Sequence, residues 1–315
     1  MTQTTRWEAC VMNPKYLEQF LRVAEMGSIN KAAGDLKVSQ PSLSRNMSLL
    51  EYEMGTELFV RSRSGVSLTD PGKLLFDQAR PLLRQFSLLR EQIGKMARGQ
   101  VAAGIPPSWR ALVTVDFTES IARDDDDIQI RISENVSHAL REQLAVGSID
   151  LCIAPAEKTG TATFKQTPIV EEPLVLVGGR NAGLSPDTPV DIPMLAGLPL
   201  TIPPRPNAIR NTIEQRTAAQ GIDLTVAIET DTLALCLAMC SREVGYSITP
   251  RCALISNPQF SDVTWAPIRG LDVTWSLFEN PRRTHSQAVR KCRRLLTSLV
   301  NESIASGKWT GARQR

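Results

Sequence analysis

Histidine is almost missing from this chain: His138 and His285 are the two among 315 residues. The six cysteines, Cys10, Cys152, Cys236, Cys240, Cys252 and Cys292, include no CxxC pair. So thin a supply of spaced ligands argues against zinc, and no metal or cofactor is expected. GxSxG and GxGxxG are missing too, which removes the common nucleophile-elbow and dinucleotide-binding constellations and disfavours an enzyme. No apolar run reaches the 18 residues of a membrane span, and the opening MTQTTRWEACVMNPK lacks the apolar stretch of a secretory signal. A cytoplasmic protein with no membrane partner is therefore expected. Cys236 and Cys240 stand four apart in the apolar run Leu233–Met239, where they share a helix face; their spacing is near the upper limit for a disulfide, so they read as core. The Asp124–Asp127 run lacks the companions of a calcium loop and reads as a solvated turn.

Charge is unevenly placed. Residues 14–98 carry 13 Lys/Arg against 9 Asp/Glu, whereas residues 99–315 carry 22 against 23. A basic N-terminal third on a neutral remainder suits a nucleic-acid-binding head on a separate body.

Within that third, residues 27–51 read as two short helices around a tight turn. Ala32 and Ala33 permit close crossing, Leu36 and Val38 grip the corner, Ser39 offers an N-cap oxygen and Pro41 stands at the helix start. Leu43, Met47 and Leu50 mark the buried face of the second helix, leaving Gln40, Pro41, Ser42, Ser44, Arg45 and Ser48 on or beside the opposite one. Upstream, Pro14 opens an amphipathic helix bearing Leu17, Phe20, Leu21 and Ala24. Downstream, Leu58–Val60 and Val66–Leu68 flank a basic tip, Arg61–Gly65, as a small hairpin wing. Arg45 can fork onto guanine and Gln40 onto adenine, Ser42 and Ser44 can reach phosphates or bases, and Arg61 and Arg63 suit phosphates or the minor groove. A helix follows from Asp70 to about Arg98, with Leu75, Leu82, Phe86, Leu89, Ile93 and Met96 in a heptad-like seam. Pro81 predicts a bend near 77–80. The seam pairs with a second copy or packs on the helix's own body.

The order Phe20, Ala24-Glu25-Met26-Gly27-Ser28-Ile29, Ala32-Ala33, Leu36, Val38-Ser39-Gln40-Pro41-Ser42-Leu43-Ser44-Arg45, Leu50-Glu51, Gly55, Leu58-Phe59, Arg61, Leu68-Thr69 and Gly72 resembles the N-terminal pattern of LysR-type bacterial transcriptional regulators. The resemblance runs over about residues 12–308. It implies major-groove contacts at Gln40, Pro41, Ser44 and Arg45, and a linker helix that dimerises antiparallel. It also implies a homodimer or homotetramer acting on double-stranded promoter or operator DNA, with RNA polymerase as a further partner.

Past Gly99 the period changes to short apolar strands alternating with helices, the pattern of open α/β sheets. Strands are expected at 101–105, 127–132, 149–154, 169–178, 199–202, 225–229, 244–248, 263–267 and 271–278, and helices at 108–123, 137–146, 207–220, 231–242 and 286–305. The fold class expected is α+β / α/β: a winged helix-turn-helix at 12–70, a dimerisation linker helix at 71–98, and, by the resemblance, a periplasmic-binding-protein-like effector domain at 99–308. Its subdomains would be 99–175 plus 271–308, and 176–270, with residues 306–315 a mobile tail.

Such sheets bind ligands at the carboxyl ends of their strands. Ser108 and Ser137 follow two of those ends, and a cap role or a ligand role is open to each. Pro204, Arg205 and Asn207 form the facing loop, Trp109 would narrow the pocket, and Thr249 and Arg251 stand near the opposite wall. The resemblance implies a small-molecule effector here, frequently an anion, that alters DNA-binding geometry. The alternative is a body that serves assembly only.

Overall fold

Asn13 starts the first helix: its Oδ1 accepts from Lys15 N at 2.9 Å, and Pro14 follows where no amide is needed. The structure is a computed structural model describing residues 13–62, 65–93, 99–124, 127–157, 164–255, 262–284 and 286–315. Cys10, Arg63, Met96, Asp125, Asp126 and His285, named above, lie outside the described residues. Its contacts divide the chain into two units, residues 1–95 and 96–315.

In the first unit, α1 (Pro14–Met26) ends at Gly27, whose φ of +58° suits a residue without a Cβ. Ser28 caps α2 (Ile29–Asp35), and Ser39 caps α3 (Gln40–Met54) by accepting from Ser42 N. Phe20, Ala32, Leu43, Met47 and Leu50 are fully buried in one core, so the apolar spacing read in the sequence packs as expected. Polar ties set the helix angles. Asn46 donates to the buried Gln19 at 2.9 Å, joining α3 to α1, and Arg22 grips Asp35 at 2.6 and 2.7 Å, holding that carboxyl below the usual range. The wing is an antiparallel pair, β1 (Phe59–Ser62) and β2 (Gly65–Leu68).

Helix α4 (Asp70–Ile93) runs through Pro81 without interruption. Its start is pressed against the wing so closely that a Cβ at Gly72 would stand 2.1 Å from the Leu58 carbonyl oxygen. Leu75, Phe76, Ala79 and Leu83 pack into the core of this unit, whereas Leu82 and Phe86 remain about half exposed.

In the second unit, β3 (Gly99–Ile105) lies parallel between β4 (Ile128–Glu134) and β5 (Leu151–Pro155). Two long strands, β6 (Lys165–Gly179) and β10 (Val263–Glu279), pair antiparallel along most of their length. At one end β10 pairs with β5; at the other β6 pairs with β9 (Ser247–Pro250). A parallel pair, β7 (Pro199–Ile202) and β8 (Thr225–Glu229), joins that second half through the Leu200–Tyr246 bridge. The long pair thus spans two α/β halves, each covered by helices. The strands expected separately at 263–267 and 271–278 are one strand, its register shifting between Pro267 and Asp272 around Gly270 at φ +71°. The helices are α5 (Val115–Asp124), entered through tight and wide turns at 107–114, then α6 (Ser137–Ala145), α7 (Ala208–Ala218), α8 (Leu233–Ser241) and α9 (Gln287–Ala305).

The expectation of a mobile tail after residue 305 is overturned. Trp309 is 1% exposed, and β11 (Arg313–Gln314) pairs with β6. Trp309 Nε1 donates to Glu172 Oε2 at 2.9 Å, where Cys252 N also donates at 2.8 Å; Trp275 Nε1 donates to the other oxygen at 2.6 Å. An apolar ring and an unmet indole donor, four residues past α9, give the tail both an area term and a hydrogen bond to dock for. Replacing Trp309 by alanine should cost about 3–5 kcal/mol in urea unfolding, the range for a buried aromatic. A free tail would give no change. Burial pushes the Glu172 carboxyl above its usual range, so the native state holds the proton more tightly than the unfolded chain. Stability should fall as pH rises from the ordinary carboxylate range through that raised value, and Glu172→Gln should flatten this segment of the profile.

Candidate DNA-binding face and effector cleft

On α3, Gln40, Pro41, Ser42 and Arg45 are exposed and Ser44 is half-buried, opposite the buried Leu43, Met47 and Leu50. Arg45 makes no hydrogen bond or ion pair with another described residue. Its guanidinium therefore carries five uncommitted donors on a convex helix face. The wing is fastened to the same helix by Glu51, a residue whose role the sequence did not disclose. Glu51 Oε1 accepts from Leu58 N at 2.9 Å and Phe59 N at 3.1 Å, and Oε2 lies 3.6 Å from Arg61. Arg61 is thus loosely paired but half exposed, its charge still presented beside α3.

A cleft of about 640 Å³, its open mouth included, lies at the carboxyl ends of the parallel strands. Ser108 and Ser137 follow the neighbouring strands β3 and β4 on one side; Asn207 and Asp231 follow β7 and β8 on the other; Thr249 of β9 and Trp275 of β10 close the floor. Ser137 and Thr249 are more than nine-tenths buried, and the hydroxyl oxygens of both lack any hydrogen-bond partner among the described residues. Unpaired buried hydroxyls cost roughly 1–3 kcal/mol each, so they mark a place where a ligand or water completes the structure. Ser137 does not cap α6, whose N-cap is Val136 with no side-chain bond. Asn207 commits its Oδ1 to Ile209 N and Arg210 N, so only its amide nitrogen is left to serve the cleft it lines.

Four expected wall residues lie elsewhere. Trp109 is fully buried in the core, its ring edge-on to Trp275 at 5.6 Å and Trp309 at 5.0 Å. In the tight turn Pro107–Trp109, Ser108 reaches the cleft and the next side chain points away; the aromatic wall is Trp275. Arg205 turns outward onto Glu214 of α7 at 2.9 Å, with its side chain 69% exposed. Pro204 is half-buried outside the wall, which Pro203 lines instead. Arg251 stacks its guanidinium 4.2 Å above the Trp265 ring rather than entering the cleft. Its burial lowers its pKa while the Glu172 carboxylate opposes the shift.

Cys236 stands in the cleft wall, and burial pushes its thiol up to about 11; Cys240, one turn on, is pushed to about 12. Their sulfurs donate to the Thr230 and Val177 carbonyls and are not joined. Neutral, buried thiols of this kind are poor nucleophiles at neutral pH.

Comparison with known proteins accords with this geometry. Residues 14–73 match the bacterial regulatory helix-turn-helix proteins of the lysR family, and residues 94–300 match the LysR substrate binding domain. The nitrogen assimilation regulatory protein nac of Klebsiella aerogenes is 27% identical over 296 residues, covering 92% of this chain and 96% of that protein. The DNA-binding transcriptional dual regulator OxyR of Escherichia coli is 32% identical over 168 residues, 52% of this chain and 55% of OxyR. Among solved structures, full-length CbnR complexed with its target DNA superposes with a TM-score of 0.66 at 21% identity, over 93% of this chain and 100% of that one. The helix-turn-helix head and the α/β body with its cleft, each matched by its family, make this chain a member of the LysR family of bacterial transcriptional regulators.

Proposed function

We propose that the α3 face reads an operator through Arg45 and Gln40, with Pro41, Ser42 and Ser44 fitting the groove and Arg61 holding phosphate beside it. Arg63 joins Arg61 on sequence grounds alone. The exposed, uncommitted Arg45 supports this reading. The working parts are the head at 12–70, the linker helix at 71–98 and the effector domain from 99, with subdomains 99–175 plus 271–308, and 176–270, the docked tail extending the body to 315. Leu82 and Phe86, half exposed on α4 while its other face packs inward, support pairing with a second copy, which brings two heads to separated half-sites.

The body acts by binding and not by catalysis: the cleft holds a small-molecule effector through Ser108, Ser137, Asn207 and Thr249, and the bound ligand alters the geometry with which the heads meet DNA. The observation that carries this is the pair of buried, partnerless hydroxyls of Ser137 and Thr249 in its wall. Such a protein works in the cytoplasm, where DNA and metabolites meet; no helix among the described residues is long and apolar enough to cross a membrane.

Arg45→Ala should weaken operator binding by about 1–3 kcal/mol and relax base preference near its contact, read by fluorescence anisotropy at fixed salt. Unchanged affinity and preference would remove Arg45 from base reading. A thermal-shift screen of the full chain against a metabolite panel should return ligands whose stabilisation follows mass action and falls in Ser137→Ala and Thr249→Val. Ligands indifferent to both changes would place the effector elsewhere, and a ligand that is turned over would revive an enzyme. Thiol chemistry separates an effector from oxidative sensing: a Cys10→Ser chain should react substoichiometrically with a disulfide reagent at neutral pH until unfolded, given the buried, elevated thiols. Rapid native labelling would favour a redox trigger.

A further inference from the structure

Charge is distributed across the cleft with a polarity. The two sides follow two parallel strand pairs, and helix amino ends face the opening from each. On the first side α6, nine residues long, has no side-chain cap; its first-turn amides and the partnerless Ser137 hydroxyl present donors and the positive end of the helix dipole. Ser108 stands beside it after the neighbouring strand, and the buried Thr249 hydroxyl adds a second unmet group. An oxyanion is the complement of that set.

The other side also has helix amino ends, but it adds a full negative charge in front of one of them. Asp231, immediately before the Thr232 N-cap of α8, lines the cleft, is exposed at its edge, and makes no ion pair with another described residue. Burial is the main cause that raises the Cys236 thiol in the wall, and the nearby Asp231 charge adds to it. No lysine, arginine or histidine lines the cleft among the described residues to neutralise it, because Arg205 is held outside by Glu214. Between the two ends the walls are apolar, with Ile209 and Leu233 on the second side and Trp275 in the floor.

We propose that the effector is zwitterionic: an α-amino acid with an apolar side chain, its carboxylate at Ser108, Ser137 and Thr249, its ammonium toward Asp231, and its side chain against Trp275 and Ile209. The proposal rests on the reading of this cleft as the effector site. A plain carboxylate satisfies the α6 end but leaves Asp231 repelling it across a partly desolvated gap. A plain amine satisfies Asp231 but faces donors at the other end. Only a molecule carrying both charges meets both walls, and it does so by spanning the two subdomains.

The test uses the full chain and two matched series: L-phenylalanine, 3-phenylpropionate and 2-phenylethylamine, and L-leucine, 4-methylpentanoate and 3-methylbutylamine. Binding is read by isothermal titration calorimetry at neutral pH. The expected result is that at least one amino acid binds, and that its des-amino and des-carboxy partners bind about tenfold more weakly or worse, as loss of one charge pair at intermediate dielectric requires. Asp231→Asn should erase the advantage over the des-amino acid, whereas Ser137→Ala should weaken amino acid and acid alike. Asp231 is exposed, so its replacement leaves folding intact, and unchanged melting of the free variant verifies that. An acid that matches its amino acid, an unaltered preference in Asp231→Asn, or no binding by any of the six compounds would overturn the zwitterion. If an acid alone binds and Ser137→Ala abolishes that binding, the cleft remains the effector site while its polarity is refuted. If an amino acid binds and neither change affects it, the assignment of the cleft falls as well.

Discussion

The cleft depends on one carboxylate that never meets solvent. Glu172 sits fully buried on β6 and accepts from the indole of Trp275 on β10, the indole of Trp309 in the tail, and the backbone of Cys252 just after β9. Four separate parts of the chain are thereby fixed at one point. Desolvating a carboxylate is expensive, and three donors are what make its burial tolerable. The arrangement explains why Trp109 points inward: it fills the angle between the other two rings, in the edge-on geometry that aromatic quadrupoles favour. It also explains why Trp275, and not Trp109, forms the aromatic floor.

The head uses the same device at smaller scale. Glu51, on the last turns of α3, accepts two backbone amides at the start of the wing, which ties helix and wing together. Gln19 and Asn46 set the rotation of α3 about its axis, and Arg22 with Asp35 fixes α2 against α1. A base-reading side chain works only if its helix is held to a fraction of an ångström. On the proposed reading the exposed residues of α3 carry the chemistry; these polar ties, partly beneath it, carry the aim.

What was legible in the sequence follows from what a one-dimensional pattern can encode. Leu43, Met47 and Leu50 repeat with the helix period, and Ser39 and Pro41 mark a start, so α3 of the head could be read nearly residue by residue. Ser108, Ser137, Asn207 and Thr249 could be found because strand ends in an open α/β sheet are where side chains meet a cleft. Trp109 and Arg205 could not be placed, since their directions depend on partners more than a hundred residues away in one case and on a competing Glu214 in the other. The tail misled for a related reason. Its sequence is polar and terminal, and only the distant Glu172 makes Trp309 a buried residue. Residues 263–279 misled differently, because Gly270 reads as a turn but serves as an irregularity within one strand.

A ligand can shift a conformational balance only by contacting the two arrangements unequally. In this cleft the contacts that could differ are those made to both sides at once. Ser137 belongs to the half built on β3 and β4, Asp231 to the half built on β7 and β8, and the two halves are joined by the long strands β6 and β10. A molecule held by one side alone would fill the cleft and bias nothing. One that spans it favours whichever opening brings the two sides to its own length, and the strain of any other opening falls on the joining strands. There Thr249 is tied to Val175 through the β6–β9 pairing and Trp275 to Glu172 through its indole. The floor of the cleft is therefore built on the strands that join the two halves, so on the proposed reading a ligand seated on Trp275 and Thr249 bears directly on that junction.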